Sequence, residues 1–178
     1  MTPKRHKEDK YIVTELTKTK TASVHPEIRE ITDALSFKIA RLDAINERAG
    51  SHYFKLHHDI TLNQWRILGL VSAMGPVPSR EVRDKLLMDK GQFSRVVNQL
   101  IERGLILSRP RESNASSLLL ELTEAGRALH KVLIRFTAER NARTAGALTR
   151  EECKTFLRLL DKVVDHAEAL LLERQRKP

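Results

Sequence analysis

The sequence predicts a mainly α-helical protein with one small β-hairpin, and three observations indicate this fold class. Apolar residues recur at helical spacing in six separate segments of the 178-residue chain. Two short apolar runs, Leu105–Arg109 and Ser117–Leu122, flank the turn-prone segment 111–114, as the strands of a hairpin do. Glycine and proline punctuate the chain between these segments. A chain of this length is expected to form one or two domains with a substantial core.

The segment Asp89–Gly104 is predicted to be an amphipathic helix with one buried face. Its apolar residues follow the i, i+3, i+4, i+7, i+8 pattern of a helix. They are Phe93, Val96, Val97, Leu100 and Ile101. Asp89 is placed to cap the helix start, with Gln92 as its capping-box partner, and Gly104 is placed to end it. A second amphipathic segment, Ser79–Leu86, precedes this one across a short turn, so the pair is predicted to form a helix-turn-helix.

The opposite face of the segment Asp89–Gly104 is polar, and Glu102 is its single acidic residue. Its other side chains hydrogen-bond to phosphates or to base edges. They are Lys90, Gln92, Ser94, Arg95, Asn98 and Gln99. An ordinary surface helix of a helical bundle is the alternative, but it leaves the adjoining hairpin unexplained. The sequence therefore predicts a winged helix-turn-helix in which the hairpin is the wing.

The first 74 residues are predicted to hold a tail and two helices. Residues 1–24 are polar and rich in lysine and threonine, which predicts a flexible basic tail, or alternatively an arm that follows phosphates. A helix is predicted from Pro26 to about Gly50, followed by a histidine-rich connector at residues 51–60. The apolar stripe of that helix is Ile28, Ile31, Leu35, Ile39, Leu42 and Ile45. Thr61 and Gln64 then form a capping box for a helix that is expected to end near residue 74.

Two long helices close the chain. Thr123 is a favourable N-cap for the first, and Thr149 with Glu152 forms a capping box for the second. The apolar stripe of the last helix is Phe156, Leu157, Leu160, Val163, Val164, Leu170 and Leu171. The small middle region is too short to cover the outer helices, so residues 25–60 and 124–178 are predicted to form a helical dimerisation region of a twofold homodimer. Residues 61–123 are the predicted DNA-binding domain.

The charge balance favours a polyanionic partner. The 32 Lys and Arg residues against 23 Asp and Glu give a formal net charge of +9. Nucleic acid is the first expectation and an anionic membrane surface the second, while a basic protein with neither partner stays open. Aromatic residues make up 4%, which favours duplex DNA over single strands.

Location and redox state follow from what the sequence lacks. No apolar run approaches the roughly 18 residues of a membrane span, and no signal-peptide core follows the basic start. The single cysteine, Cys153, excludes a disulfide within the chain, so a cytoplasmic location is expected.

Four sequence motifs occur in a familiar order and spacing. They are Leu62-Asn63-Gln64-Trp65-Arg66-Ile67-Leu68, Phe93-Ser94-Arg95-Val96-Val97-Asn98-Gln99-Leu100, Arg103-Gly104-Leu105-Ile106 and Leu122-Thr123-Glu124-Ala125-Gly126. With these motifs the chain resembles the MarR (multiple-antibiotic-resistance regulator) family of bacterial winged-helix transcription factors, over about residues 28–173. The resemblance implies an obligate dimer, a recognition helix in the major groove, wings that reach toward the minor groove, and a ligand cleft between the two regions.

Three departures from the family pattern concern the docking on DNA and not the expected fold. The family usually carries an Asp-Arg pair at the wing tip, where this chain has Asn114 and Ala115. The minor-groove arginine is therefore missing, and Arg111 is the nearest substitute. Leu87 stands where the turn of the helix-turn-helix often has glycine, and Arg83 occupies a position that is usually small and apolar.

The candidate DNA contacts combine the exposed helix face with the wing. They are Lys90, Gln92, Ser94, Arg95, Asn98, Arg109 and Arg111. Ser94 and Arg95 match the base-reading pair of the family. Arginine reads guanine bidentately and Asn or Gln reads adenine, each pairing being worth about 1–3 kcal/mol of discrimination. Contact with phosphate alone is the alternative for each residue, and it is the expectation for Arg111.

The ligand cleft implied by the resemblance is expected at the junction of the first two helices. The candidate contacts are Phe37, Arg41, His57, Trp65 and Arg66. An arginine there would pair with an aromatic or otherwise anionic effector. Simple core packing of Phe37 and Trp65 is the alternative.

Metal binding and catalysis find little support in the sequence. The cluster at residues 52–59, with His52, His57 and His58, lacks the spacing of a zinc signature, so no metal or other cofactor is expected. Cys153 is expected to be buried and inert. The chain has no Gly-rich phosphate loop and no Gly-x-Ser-x-Gly elbow, so no enzyme activity is expected, and a small hydrolase is the alternative from another class.

The expected function is that of a ligand-responsive transcriptional repressor. It would bind a pseudo-palindromic operator as a homodimer. A small effector would release it by favouring a dimer whose recognition helices are wrongly spaced. An architectural protein that binds DNA through its charge, without an effector, is the alternative.

Overall fold

The computed structural model describes residues 27–111 and 114–176, and the chain separates between Ile45 and Asn46 into two compact units. A 3-10 turn at Ile31–Asp33 precedes the first helix. The helices are α1 (Leu35–His58), α2 (Leu62–Met74), α3 (Ser79–Lys85), α4 (Lys90–Glu102), α5 (Glu124–Thr144) and α6 (Arg150–Arg176). The strands are β1 (Val77–Pro78), β2 (Ile106–Arg111) and β3 (Asn114–Leu122). The predicted fold class, mainly α with a small β wing, is confirmed. The predicted tail (residues 1–24) and the wing-tip residues 112–113 lie outside the described residues.

The first helix differs from its prediction at both ends. Instead of spanning residues 26–50, α1 begins at Leu35 and continues without a break to His58, so most of the predicted connector is helical. Gly50 does not end the helix. Its missing side chain leaves room for a side chain from α5. A Cβ atom at Gly50 would lie 1.8 Å from Nη1 of Arg140, whose Nη2 donates to the backbone oxygen of Asn46 at 2.5 Å. A tertiary contact therefore explains a glycine that the sequence suggested as a helix stop.

The C-terminal end of α1 is closed by a residue in the left-handed conformation. Asp59 has a φ of 49°, its amide donates to the backbone oxygen of Lys55, and the Ile60 amide donates to that of Phe54. This hydrogen-bond pattern caps the last turn of a helix. The Ile60 side chain is fully buried, which fixes the direction in which the chain leaves α1.

The predicted N-caps are confirmed. Thr61 and Gln64 form the reciprocal capping box of α2. The Thr123 hydroxyl accepts from the Gly126 amide at 2.9 Å at the start of α5. Thr149 and Glu152 bond each other's amides, at 3.3 and 2.8 Å, at the start of α6. Each of these bonds spans three residues, which is why sequence alone predicts them.

The wing contains a third strand that the sequence analysis missed. The sheet has the order β1-β3-β2 with antiparallel pairing throughout, and Val77 lies opposite Leu120. The prediction treated residues 75–78 only as a break between helices. Two residues with a proline form a strand here because β1 lies at the edge of the sheet, and Val77 contributes a buried side chain.

The core lies between α2, α4, α5 and the sheet. Its fully buried side chains include Ile67, Leu68, Leu100, Leu120 and Leu133. The apolar stripe of α6 is outside this core. Its members with 40–47% exposure are Phe156, Leu157, Val163, Val164, Leu170 and Leu171. Cys153 on α6 is half-buried, which corrects the expectation of a buried cysteine. None of the helices formed by the described residues is both long and apolar enough to cross a membrane.

Leu87, in the turn between α3 and α4, is held in the left-handed conformation with a φ of 50°. This conformation costs an L-residue roughly 1–2 kcal/mol, and glycine adopts it freely. Because the Leu87 side chain is 78% exposed, its removal sacrifices little packing. We expect Leu87→Gly to raise the free energy of unfolding by about 1 kcal/mol in urea denaturation. Lys85→Gly, in the last turn of α3, is the matched control and should lower it by about 1 kcal/mol. A loss of stability in Leu87→Gly would contradict the prediction.

Candidate nucleic-acid interface

The outer face of α4 presents the polar residues predicted to meet DNA. The Asp89 carboxylate caps the helix by accepting from the Gln92 amide at 2.8 Å, and Gly104 ends it with a φ of 65°. Phe93, Val97 and Leu100 are buried beneath it, so the helix cannot turn its polar face inward. Of the predicted contacts on α4, Gln92 is half-buried and the others are exposed. The exposed ones are Lys90, Ser94, Arg95 and Asn98.

The two cationic side chains of this face are available for an anionic partner. Among residues 27–111 and 114–176, no carboxylate forms an ion pair with Lys90 or Arg95. An exposed cation without a carboxylate partner retains its charge for phosphate or for a base edge. The outer face of α4 therefore has the chemistry that duplex DNA requires.

An open concavity of about 590 Å³ lies between α3, α4 and the sheet. Lys90, Ser94 and Asn98 line it from α4, one helical turn apart from each other. Ser79 and Ser108 line it from α3 and β2. The structure thus brings three of the predicted residues to one surface together with hydroxyl groups from neighbouring elements. Such donors suit a phosphate backbone.

Two arginines of α3 extend this surface and were not among the predicted DNA contacts. Arg80 and Arg83 line the same concavity and share the carboxylate of Asp84, at 3.3 and 2.8 Å. The hydrogen bond from Arg83, with a further contribution from Arg80, holds the pKa of Asp84 below its usual value. Arg83 departs from the family pattern, yet it is accommodated at the surface by this pairing. The basic residues of the segment 79–85 are the sequence signal that could have predicted these contacts.

The wing offers one predicted cation whose side chain is described. Arg109 on β2 reaches across the hairpin to Glu121 on β3, with 3.7 Å between Nη2 and Oε2. Both side chains are well exposed, so this pair is weak and leaves Arg109 able to change partner. Arg111 is the last residue of β2, and its side chain lies outside the described part of the chain, as do the side chains of residues 114 and 115.

The five residues predicted to contact an effector are distributed over both units. Phe37 is half-buried and Arg41 is exposed in the unit that ends at Ile45. In the other unit, His57 is exposed, Arg66 is half-buried and Trp65 is buried. Their role in ligand binding stays a prediction.

The second unit contains an aromatic cluster around two of these residues. Tyr53 stacks on Phe136 of α5, with ring centroids 3.4 Å apart, and the His57 ring lies 4.5 Å from Tyr53. The Trp65 ring lies 5.4 Å from that of His130. Burial lowers the pKa of His130, so its neutral form is favoured. The sequence analysis missed the contributions of Tyr53, Phe136 and His130, because the contacts join helices that are far apart in the chain.

No metal centre accompanies this cluster in the described ranges, since no three His, Cys, Asp or Glu side chains there are close enough to share an ion. His58, adjacent to the cluster, has a buried Nε2 atom without a hydrogen-bond partner in the same ranges. A single imidazole nitrogen does not make a zinc site.

Comparison with known proteins finds similarity to one family. Residues 58–115, which include α2, the helix-turn-helix and the start of the wing, match the profile of the MarR family. An HTH-type transcriptional regulator of Bacillus cereus, itself uncharacterised, is 28% identical over 119 residues, covering 66% of this chain and 79% of that protein. These matches make the chain similar to the MarR family and to relatives described as HTH-type transcriptional regulators. The resemblance predicted from the four motifs is confirmed.

Solved structures of MarR-family proteins share this fold. The PcaV transcriptional regulator from Streptomyces coelicolor, in complex with its natural ligand, superposes with a TM-score of 0.66 at 22% identity, covering 80% of this chain and 99% of PcaV. A mutant MarR from E. coli, complexed with operator DNA, superposes with a TM-score of 0.64 at 23% identity, covering 72% of this chain and 92% of MarR. At these identities the likeness concerns the fold alone.

Proposed function

We propose that this protein is a cytoplasmic homodimeric repressor of the MarR family, not an enzyme, that binds a pseudo-palindromic operator and is released by a small effector. The observation that carries the proposal is the outer face of α4, where Lys90 and Arg95 are exposed without a described carboxylate partner. The MarR mutant from E. coli, which has this fold, is complexed with operator DNA. The family resemblance assigns this helix to the major groove. Ser94, Arg95 and Asn98 then read bases, and Lys90 and the wing arginines hold phosphates.

The homodimer is supported by the apolar stripe of α6. Phe156, Leu157, Val163, Val164 and the Leu170–Leu171 pair recur at helical spacing, and each is 40–47% exposed in the single chain. An exposed apolar stripe of this length marks an interaction surface. A second copy of the chain is the occupant we propose, because a twofold dimer aligns two recognition helices with the two halves of a palindrome.

Effector binding is supported by the aromatic cluster at the α1–α5 contact and by the ligand complex of PcaV. The stacked rings of Tyr53 and Phe136, with the His57 ring beside them, form an aromatic surface. Arg41 and Arg66, the two arginines that the sequence predicts for effector binding, supply the charge for an acidic group. An aromatic carboxylate is therefore the effector class that we propose.

The test begins with operator fragments selected from random duplex DNA by the purified protein. Affinity for the selected duplex and for its scrambled version is then measured over a salt series, for wild type, Arg95→Ala and Arg111→Ala. We expect a specific-to-nonspecific ratio above about 10³ for wild type. Arg95→Ala should lose about 1–3 kcal/mol per base contact on the operator only. Arg111→Ala should weaken both duplexes alike and flatten the salt slope by about one per contact.

Arg135→Ala on α5 is the control for the loss of one exposed positive charge away from α4 and the wing. An effector arm repeats the assay with benzoate, which should lower operator affinity in wild type more than in Arg41→Ala. A wild-type protein without preference for any selected duplex would leave only charge-driven, architectural binding. If Arg111→Ala abolished operator preference while Arg95→Ala retained it, the assigned roles of helix and wing would be wrong.

A further inference from the structure

Hydrogen bonds join the C-terminal end of the recognition helix α4 to the α1–α2 corner, which we define as residues 58–64. Arg103, the residue after α4, donates from Nη1 to the backbone oxygen of Asp59 at 2.5 Å and from Nη2 to that of His58 at 3.2 Å. The planar fork of a guanidinium suits two successive carbonyl groups. These carbonyls end α1, where they lack intrahelical partners and carry the negative end of the helix dipole.

A further hydrogen bond joins the corner to α4 one helical turn earlier, at Gln99. The Gln64 side chain is only 5% exposed, and its Nε2 donates to Oε1 of Gln99 at 3.1 Å. Its Oε1 accepts from the Thr61 amide at 2.9 Å. Both ends of this buried amide are therefore bonded, one to α4 and one to the corner. Breaking either bond would leave a buried polar group unsatisfied.

The corner itself has little freedom to follow a displaced α4. Asp59 is fixed in the left-handed conformation at a φ of 49°, and the next side chain, Ile60, is fully buried. The buried side chains of Val97 and Leu100 fix the depth of α4. Apolar contacts of this kind keep the polar face of α4 outward, but they are not directional and leave small rotations of the helix about its axis open. The hydrogen bonds from Arg103 and to Gln99 are directional.

We propose that Arg103 and Gln64 are positioning residues for DNA recognition, which set the rotation and height of α4 without contacting DNA. The proposal rests on the proposed function, in which α4 reads the operator. Base-reading side chains need placement within about 0.5 Å, and a small rotation of α4 moves Arg95 and Asn98 by more than that. Arg103 is a cation at the end of the recognition helix, yet its guanidinium bonds the α1–α2 corner. Its contribution therefore differs from that of a phosphate contact.

The salt dependence of DNA affinity distinguishes a positioning residue from a phosphate contact. Operator and scrambled duplex affinities are measured over a salt series for Arg103→Ala, Arg103→Lys and Gln64→Leu, with Lys90→Ala as the phosphate-contact reference and Arg135→Ala as the charge control. We expect Arg103→Ala to lose about tenfold in operator affinity, the worth of one charge-assisted hydrogen bond. Its salt slope should equal that of Arg135→Ala, whereas Lys90→Ala should lose about one unit per contact. Arg103→Lys should recover part of the affinity, because an ammonium can donate to one of the two carbonyls.

Amide hydrogen exchange supplies a readout that needs no DNA. We expect faster exchange at residues 98–104 in Arg103→Ala and in Gln64→Leu, with the wing unchanged. If Arg103→Ala does not fold, Arg103→Lys and Gln64→Leu decide by the same two measurements. A salt slope reduced as in Lys90→Ala would make Arg103 a phosphate contact and overturn the proposal, and so would unchanged operator affinity or unchanged exchange. A wild-type protein without operator preference would contradict the proposed function. Amide hydrogen exchange would still test whether Arg103 and Gln64 hold α4 in place.

Discussion

Replacing Val163 and Val164 together with glutamate is expected to convert the protein to a monomer and to weaken operator binding by about 10²–10⁴-fold. Both side chains lie on the apolar stripe of α6 and are 41% and 45% exposed in the single chain. They are therefore only partly covered by the single chain and would be buried against a second copy. Two glutamates there would be desolvated without partners. Operator affinity falls because a monomer binds one half-site, whereas a dimer binds two linked half-sites at once.

Lys162→Glu is the matched control for this double variant. It changes the net charge by the same two units, and it places the glutamate on the opposite face of α6. Sedimentation should give twice 20.4 kDa for wild type and for the control, and the monomer mass for the double variant. Operator affinity should fall far more in the double variant than in the control. A double variant that keeps the dimer mass and wild-type affinity would place the dimer contact elsewhere.

Gly126→Ala is expected to lower the free energy of unfolding by about 3 kcal/mol. Gly126 is buried in the first turn of α5, and a Cβ atom there would lie 2.0 Å from the backbone oxygen of Leu105. That oxygen also accepts from the Thr123 amide, so it cannot retreat without breaking the entry into α5. The obstacle is backbone, unlike the Arg140 side chain at Gly50, which can move away.

Gly69→Ala, inside α2, is the control with the opposite sign. No atom lies within 4 Å of a Cβ built at Gly69, and alanine is the better helix former. We expect this variant to gain about 0.5–1 kcal/mol. Urea denaturation of both variants and wild type under one condition measures the difference. Equal stability of Gly126→Ala and wild type would show that α5 can shift away from Leu105 at no cost.

Much of the interface was predictable, because it depends on interactions within single helices. The alternation of Phe93, Val97 and Leu100 with Lys90 and Arg95 assigns the inner and outer faces of α4 without reference to the rest of the chain. What the sequence did not provide is the surroundings of that face. The concavity with Arg80 and Arg83 depends on how α3 packs beside α4, and periodicity carries no information on that packing.

The sequence by itself determined where α2, α4, α5 and α6 begin, because each N-cap bonds an amide three residues away. Only the tertiary structure decided that α1 continues through Gly50, since the guanidinium that occupies the space above it comes from α5. It also decided that Val77 pairs with Leu120 in a third strand, and that Arg103 bonds the end of α1, 44 residues earlier. The physical reason is the separation along the sequence over which each interaction acts. Capping and helical periodicity act within a few residues, whereas these contacts join segments that only folding brings together.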